Sequence, residues 1–299
     1  MKRIIFAIFI LAGILTPTLT TAQVAVTGMN TYFPYPSAPD SIPTPQGKAD
    51  YVMEHFWDYC DLKKAFSSRQ KMAGAFEDFM SFSTIGSARK VHRSIGKFLR
   101  ALEKQPDDLL FIARKAEELV HSDTSRIYSD ELYIPFALAV ARNKKIDKNV
   151  RSAFERQARI LTATQPGMPA PVFNYTDFNG GNGTFMPDTT AELTVMFFND
   201  PDCIDCTLAR ARLNADIRTT EYIKDGILRI VAVTPGEADD RWRNMASSYP
   251  SEWQVLAAPD VDDIYDIRTT PAFYVFDKKG DIVLKNIDIE QVLRLMSLL

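Results

Sequence analysis

Cysteine and histidine are scarce in this chain, with three of each among 299 residues. So few cysteines exclude a small fold stapled by disulfides. A structural zinc site takes four ligands. His55, His92 and His121 all lie in the first half of the chain, far in sequence from Cys203 and Cys206, so no metal is expected. Blocks of basic residues are absent and the formal charge is −3. That balance gives no reason to expect nucleic acid or an anionic membrane surface as partner. No apolar run reaches the roughly 20 residues of a spanning helix. No Ser-His-Asp order or nucleotide fingerprint stands out either. Asn179-Gly180-Gly181-Asn182-Gly183 is rich in glycine but falls between two strand-like segments, which makes it a hairpin and not a phosphate loop.

What is present begins with a leader. Lys2 and Arg3 precede the apolar stretch Ile4 to Leu15, and Thr20-Thr21-Ala22 supplies small residues before Gln23. This pattern predicts a signal peptide over residues 1–22, cleaved after Ala22, and an extracytoplasmic, periplasmic protein. Residues 23–47 read as a proline-rich linker, with Tyr32-Phe33-Pro34-Tyr35-Pro36 set to dock on a domain surface.

Residues 48–164 predict an all-α domain. Val52, His55, Phe56 and Tyr59 fall on one helical face, which makes His55 a core histidine. Helical spacing recurs at Val91, Ile95, Phe98, Leu99 and Leu102, and at Leu109, Ile112, Ala116, Leu119 and Val120, with further helices over 134–141 and 150–161. Cys60 reads as a small apolar core residue. Pro166 to Pro171 ends this part. Residues 165–299 then alternate strand and helix: strands at 172–177, 193–198 and 227–233, helices from Cys203 and over 237–247, a strand pair at 272–276 and 282–285, and a final helix at 289–298. Leu193 to Phe198 is apolar throughout, as in a strand buried on both faces.

Four segments carry a resemblance. Gly167-Met168-Pro169-Ala170-Pro171-Val172-Phe173, then Val195-Met196-Phe197-Phe198 followed by Cys203-Ile204-Asp205-Cys206, then Arg268-Thr269-Thr270-Pro271-Ala272-Phe273, and last Phe276 to Ile282, stand in the order and spacing of a thioredoxin-like domain. The region resembles the TlpA/ResA-type extracytoplasmic thiol-disulfide oxidoreductases. The resemblance implies an α/β thioredoxin-like domain, a central mixed sheet flanked by helices, behind an all-α domain of unknown function. It implies a redox pair at Cys203 and Cys206, a cis peptide at Pro271, and Thr270 backbone groups left open to an extended substrate. It further implies a disulfide-bearing protein substrate, a membrane thiol-relay protein as electron donor, and no cofactor.

The residues themselves bear on that chemistry. A cysteine at the first turn of a helix is favoured as thiolate by unpaired N–H groups and the helix dipole. This makes Cys203 the candidate nucleophile and Cys206 the resolving thiol. Asp202 stands where thioredoxins commonly carry Trp, and Ile204-Asp205 replaces Gly-Pro. Asp200, Asp202 and Asp205 disfavour the thiolate, which predicts a reductant in preference to an oxidant. Phe197 occupies the position where thioredoxin has a buried aspartate; Glu192 and Asp188 are the candidate substitutes for it. The rival reading is a non-catalytic scaffold with a static disulfide and a protein- or ligand-binding helical domain. A peroxidase would need a Pro-x-x-x-Thr-x-x-Cys setting, which Asn199-Asp200-Pro201 does not supply.

Overall fold

The computed structural model describes residues 32–122, 125, 127–187 and 190–298. The leader 1–22, the first part of the linker and Asp188 lie outside the described residues. Among those described, no helix is long and apolar enough to cross a membrane.

Among the described residues, seven α-helices form the first half: α1 (Pro45–His55), α2 (Leu62–Ala65), α3 (Arg69–Ser81), α4 (Ala88–Leu102), α5 (Pro106–Val120), α6 (Asp130–Arg142) and α7 (Lys148–Ala163). Each start has a local cause. Thr44 caps α1, with Pro45 at its first position, so this helix begins inside the stretch read as linker. Ser129 caps α6, which starts at Asp130, four residues before the helix expected from Ile134; Pro135 then sits inside it. The expected helices missed α3, whose mixed sequence buries Met72, Ala75, Phe76, Phe79 and Met80 on one side.

The helices pack around one aromatic-rich core containing Phe56, Phe76, Phe79, Phe98 and Phe136. Each fully buried side chain of this size contributes roughly 1.5–3 kcal/mol. Phe33 and Tyr35 of the linker pack on the same core, and the Tyr35 hydroxyl donates to Asp78 at 2.8 Å. Gly74 permits that docking, since a Cβ there would collide with the Tyr32 phenol. Two expectations fail. His55 is not core: Met53 and Phe56 take the buried face, and the imidazole lies 2.7 Å from Asp58 at the surface. Tyr59 falls beyond the end of α1 and is exposed.

The second half is a seven-stranded mixed sheet flanked by helices. Its elements are β1 (Phe173–Asp177), β2 (Asn182–Phe185), β3 (Leu193–Phe198), α8 (Ile204–Ala215), α9 (Ile217–Lys224), β4 (Leu228–Pro235), α10 (Asp240–Ala246), β5 (Gln254–Ala258), β6 (Ala272–Asp277), β7 (Ile282–Ile287) and α11 (Ile289–Met296). The strand order is β2-β1-β5-β4-β3-β6-β7. Strands β3, β4 and β5 run parallel, and β1, β6 and β7 pair antiparallel to their neighbours. The expected order lacked β5. Its sequence, Gln-Val-Leu-Ala-Ala, is short and ends in two alanines, weak strand formers, and it becomes a strand by pairing with β4.

Alternation along β3 sends Val195 and Phe197 into one core, with Cys206, Trp242 and Val292. Met196 and Phe198 face the other, with Tyr265, Tyr274 and Phe276.

Candidate active site

Strand β3 delivers the chain to the site. Every residue from Leu193 to Asn199 is buried, and the chain then turns sharply. Asp200 shapes that turn: its Oδ1 accepts the Asp202 N–H at 2.9 Å and its carbonyl accepts the Cys203 N–H at 3.2 Å. Cys203 is the N-cap of α8 and forms a disulfide with Cys206, their Cα atoms 5.2 Å apart. The Cys206 backbone N–H points at Cys203 Sγ from 3.0 Å. Such an N–H, at the positive end of the helix, would favour negative charge on that sulfur in the reduced form.

The two sulfurs have different surroundings. Cys206 is buried among apolar side chains, whereas Cys203 is half-exposed. Across from it, the Thr270 carbonyl oxygen lies 3.4 Å from Cys203 Sγ, and the Thr270–Pro271 peptide is cis. The sheet register brings these parts together, since Ala272 at the start of β6 pairs with Phe198 at the end of β3. Cys203, Cys206, Thr270 and Pro271 therefore meet at one place. Ile204 and Asp205 project outward from the first turn of α8, with Ile204 78% exposed.

The acidic turn is less one-sided than its sequence. Asp202 is paired with Arg241 of α10, so part of its charge is met beside Cys203. Behind Cys206, Phe197 is fully buried and stacks on Phe273 at 4.8 Å. Glu192 does not stand in for the missing aspartate. It precedes β3 at the far end of that strand and pairs with Lys278 at 2.5 Å. Cys60 is not core either. It is a half-buried free thiol just before α2, pushed up to about 11 by burial and by the charge of Asp61.

Two further residues hold the turn and carry no signal in the sequence. Asn199 Nδ2 donates to the carbonyls of Phe197 at 3.2 Å and Val233 at 3.1 Å, while its Oδ1 accepts the Thr234 hydroxyl at 2.8 Å. This buried network ties the ends of β3 and β4 under the redox turn, and full satisfaction makes such a network rigid. A surface hollow of about 700 Å³ over β1 and β2, lined by Tyr175 and Thr184 among others, contains neither cysteine nor Pro271 and is separate from this site. Among the described residues no group of three or more His, Cys, Asp or Glu side chains is placed to hold a metal ion.

Comparison with known proteins places the two halves. Residues 15–162 match a family profile described as Domain of unknown function (DUF5106). No curated protein matches the chain. A thioredoxin-like protein from Bacteroides caccae is similar over 91% of this chain and 99% of its own, with 20% identity and a TM-score of 0.74. A conserved protein of unknown function from Bacteroides fragilis shares 31% identity over 44% of this chain and 98% of its own, with a TM-score of 0.41. The thioredoxin domain of a thiol-disulfide oxidoreductase from Bacteroides vulgatus shares 21% identity over 44% of this chain and 98% of its own, with a TM-score of 0.37. The strand order, the disulfide at the start of α8 and the full-length likeness to the Bacteroides caccae structure make the second half of this chain a thioredoxin-like domain, joined to a helical part that matches DUF5106.

Proposed function

We propose that this protein is an extracytoplasmic thiol-disulfide oxidoreductase that works as a disulfide reductase through Cys203 and Cys206. One observation carries the reading: a half-exposed Cys203 sulfur at a helix N-terminus, with the Cys206 N–H at 3.0 Å, the Thr270 carbonyl at 3.4 Å, and its partner cysteine buried behind it. The reduced protein begins with a Cys203 thiolate that attacks one sulfur of a substrate disulfide. The substrate S–S bond breaks, a mixed disulfide forms, and the departing sulfur leaves as thiolate and takes up a proton. Cys206 loses its proton and attacks Cys203 Sγ, which releases the second substrate thiol. The substrate gains two electrons and two protons, and the protein is left with the Cys203–Cys206 disulfide. A dithiol donor must then return two electrons and two protons. By resemblance that donor is a membrane thiol-relay protein, and the substrate is a disulfide-bearing protein.

The reductive direction rests on Asp200, Asp202 and Asp205, which outnumber Arg241 around the pair. Carboxylates disfavour the thiolate, and a dithiol with a less stable thiolate is the stronger reductant. The periplasmic location rests on the Lys2-Arg3 start and the apolar stretch after it. N-terminal sequencing of protein from the periplasmic fraction should begin at Gln23; an intact Met1 there removes the cleavage proposal.

The reduction potential tests the reading, measured by equilibration against glutathione and dithiothreitol with mass-tagging of free thiols. A value below the glutathione couple with exchange in minutes supports a reductase. A value near the roughly −120 mV of strong oxidants overturns the direction. A pair that stays oxidised for many hours supports the static-disulfide scaffold, a reading favoured by the absence of an ionisable side chain at Phe197.

A further inference from the structure

The loop that carries Thr270 and Pro271 is held from the other domain. Arg268, two residues before Thr270, extends across the boundary. Its Nη2 donates to Asp130 Oδ1 of α6 at 3.0 Å and to Asp266 Oδ2 at 2.8 Å, and lies 3.2 Å from His121 Nδ1 at the end of α5. Its guanidinium sits 3.7 Å over the Tyr128 ring. From the sheet side, Lys285 Nζ reaches Asp130 Oδ2 at 2.6 Å, Asp266 Oδ2 at 3.6 Å and the Thr164 hydroxyl at 3.3 Å. An irregular β6–β7 pairing aims Lys285 there: the register shifts, and Asn286 takes a φ of 49° while its Nδ2 donates to Asp266. His121 stacks on Tyr133 at 4.5 Å and lies 3.1 Å from Asp130 Oδ1, and Tyr128 donates to the same oxygen.

This is a buried cluster. The side chains of Asp130, Lys285, Asp266, His121 and Arg268 are each 15% exposed or less. Two carboxylates, Asp130 and Asp266, face the basic side chains of Arg268 and Lys285, with His121 beside them. Burial alone would push Asp130 up, yet the bond to His121 and the charge of Lys285 hold its carboxyl below the usual range. Asp266 goes the other way, raised by burial against the pull of Lys285, with Asp130 adding to the rise. A buried cluster of this kind has one good geometry, because moving any partner leaves a desolvated charge unpaired. Its members come from α5, α6, β7 and the loop 266–271. The described part of the helical domain therefore contacts the redox site at its loop.

We infer that the helical domain acts as a positioning element for that loop. It grips Arg268 through Asp130 and Tyr128, with His121 packed beside them, and so fixes the backbone of 268–270 in the shape that receives an extended polypeptide substrate. Arg268 is a positioning residue and touches no reacting atom. The consequence is selective. A polypeptide disulfide that pairs with Thr270 backbone feels the grip, whereas a small disulfide that needs only Cys203 does not. The inference rests on the oxidoreductase reading above.

The test uses the full chain and two substrates: insulin with dithiothreitol as reductant, as a disulfide-bearing polypeptide, and dithiobis(nitrobenzoic acid), as a small disulfide, added to protein reduced beforehand and freed of dithiothreitol, which would reduce it directly. Asp130→Asn keeps the shape and removes the charge facing Arg268 and Lys285. It should lower kcat/KM for insulin about tenfold through KM, with the small-disulfide rate within about twofold of wild type. Tyr128→Phe, which keeps the ring under Arg268 and removes only the hydroxyl bond to Asp130, should lower the insulin value about threefold in the same way, and decides the matter if Asp130→Asn does not fold. Arg156→Ala breaks a separate contact between the domains, to Asp262 and Asp263, without touching the cluster, and should leave both rates unchanged. Wild-type insulin kinetics in the folded variants overturn the inference. So does a parallel fall of both substrates, which would place the effect on the redox pair itself, or an equal effect of Arg156→Ala, which would make it a matter of docking in general. A wild-type protein inactive on both substrates removes the oxidoreductase reading and this inference with it; active wild type with indifferent variants removes the inference alone.

Discussion

The two halves of the chain spend their polar residues differently. In the helical half a single core of aromatic rings does the holding, and its buried polar residues among those described are Ser94, Asp130 and Thr164. Two of these, Asp130 and Thr164, contact Lys285 of the other half. The sheet half is built as two apolar layers on a mixed sheet and keeps a buried polar network, Asn199 with Thr234, at the strand ends under the redox turn. The comparison teaches that the buried polar networks mark junctions: Asp130 and Thr164 between the domains, Asn199 and Thr234 between strand ends and chemistry, whereas Ser94, Thr194 and Thr219 are buried away from both. A side chain buried for packing alone and one buried for a junction should therefore respond to substitution in different ways.

Packing predicts the largest loss. Phe98 stacks on Trp57 at 4.3 Å and touches Phe76 and Phe79. Phe98→Ala should cost about 3–5 kcal/mol, a cavity in an aromatic core, read as a shift in denaturant midpoint by far-ultraviolet circular dichroism. The Phe98 core and the two sheet cores share no member, so the exchange rate of Cys203–Cys206 with a small disulfide should stay unchanged under native conditions. A collapse of exchange in step with stability would show that the halves act as one cooperative unit and break the comparison.

The domain junction comes next. Removing one partner from a buried ion pair costs about 3 kcal/mol, so Asp130→Asn should lose roughly that at pH 7. The loss should depend on pH. The Asp130 carboxyl titrates lower in the folded protein than its ordinary value of about 3.9. A depressed pKa gives stability that is present above the unfolded value and is lost as pH falls through the folded one. The gap between wild type and Asp130→Asn should therefore hold from pH 7 to about 5 and close below about 4. A gap independent of pH would mean that Asp130 contributes shape and not charge.

How much of this was legible depended on how local each signal was. The strand Leu193–Phe198 and the turn to Cys203 announce themselves within eleven residues, and the sheet uses them at those positions. Helix α3 and strand β5 did not, because neither segment has a clean period or strong propensity and tertiary packing decides both. His55 was misread because one register of a helical wheel put it inside, while the observed helix buries Met53 and Phe56. The Asn199–Thr234 and Asp130–Lys285 contacts span 35 and 155 positions. Nothing short of the strand register and the bulge at Asn286 brings those partners together. Arg268 was visible as part of a motif, but its partners in the helical half were not.

The strand-end junction should show an intermediate effect. Asn199→Ala leaves the buried Thr234 hydroxyl without its acceptor, at about 1–3 kcal/mol for the unsatisfied group, while the Val233 carbonyl keeps the backbone N–H of residue 199. Because the network lies directly under Asp200 to Cys203, the same variant should slow exchange with a small disulfide. That outcome is opposite to the one expected of Phe98→Ala at larger stability cost. If Asn199→Ala loses stability and exchanges normally, the buried amide is a packing element like the phenylalanines and the distinction between the halves falls.

The smallest effect belongs to the surface beside the site. Asp202 and Arg241 are both well exposed, at 76% and 63%, and exposed pairs contribute about 0–1 kcal/mol. Arg241→Gln should leave the denaturant midpoint where it is. It does remove the cation that faces the acidic turn. With Asp202 unpaired, the Cys203 thiolate is less favoured, so the dithiol becomes slightly more reducing. Since 30 mV corresponds to about 1.4 kcal/mol for a two-electron couple, a screened charge of this kind should lower the potential by about 10 mV at low salt and by less at high salt. The measurement is the thiol-disulfide equilibrium of wild type and variant against the same glutathione buffers at two ionic strengths. A shift toward the oxidising side would mean that Asp200, Asp202 and Asp205 do not set the direction of this redox pair, and the charge argument for a reductase would have to be given up while the disulfide chemistry stayed.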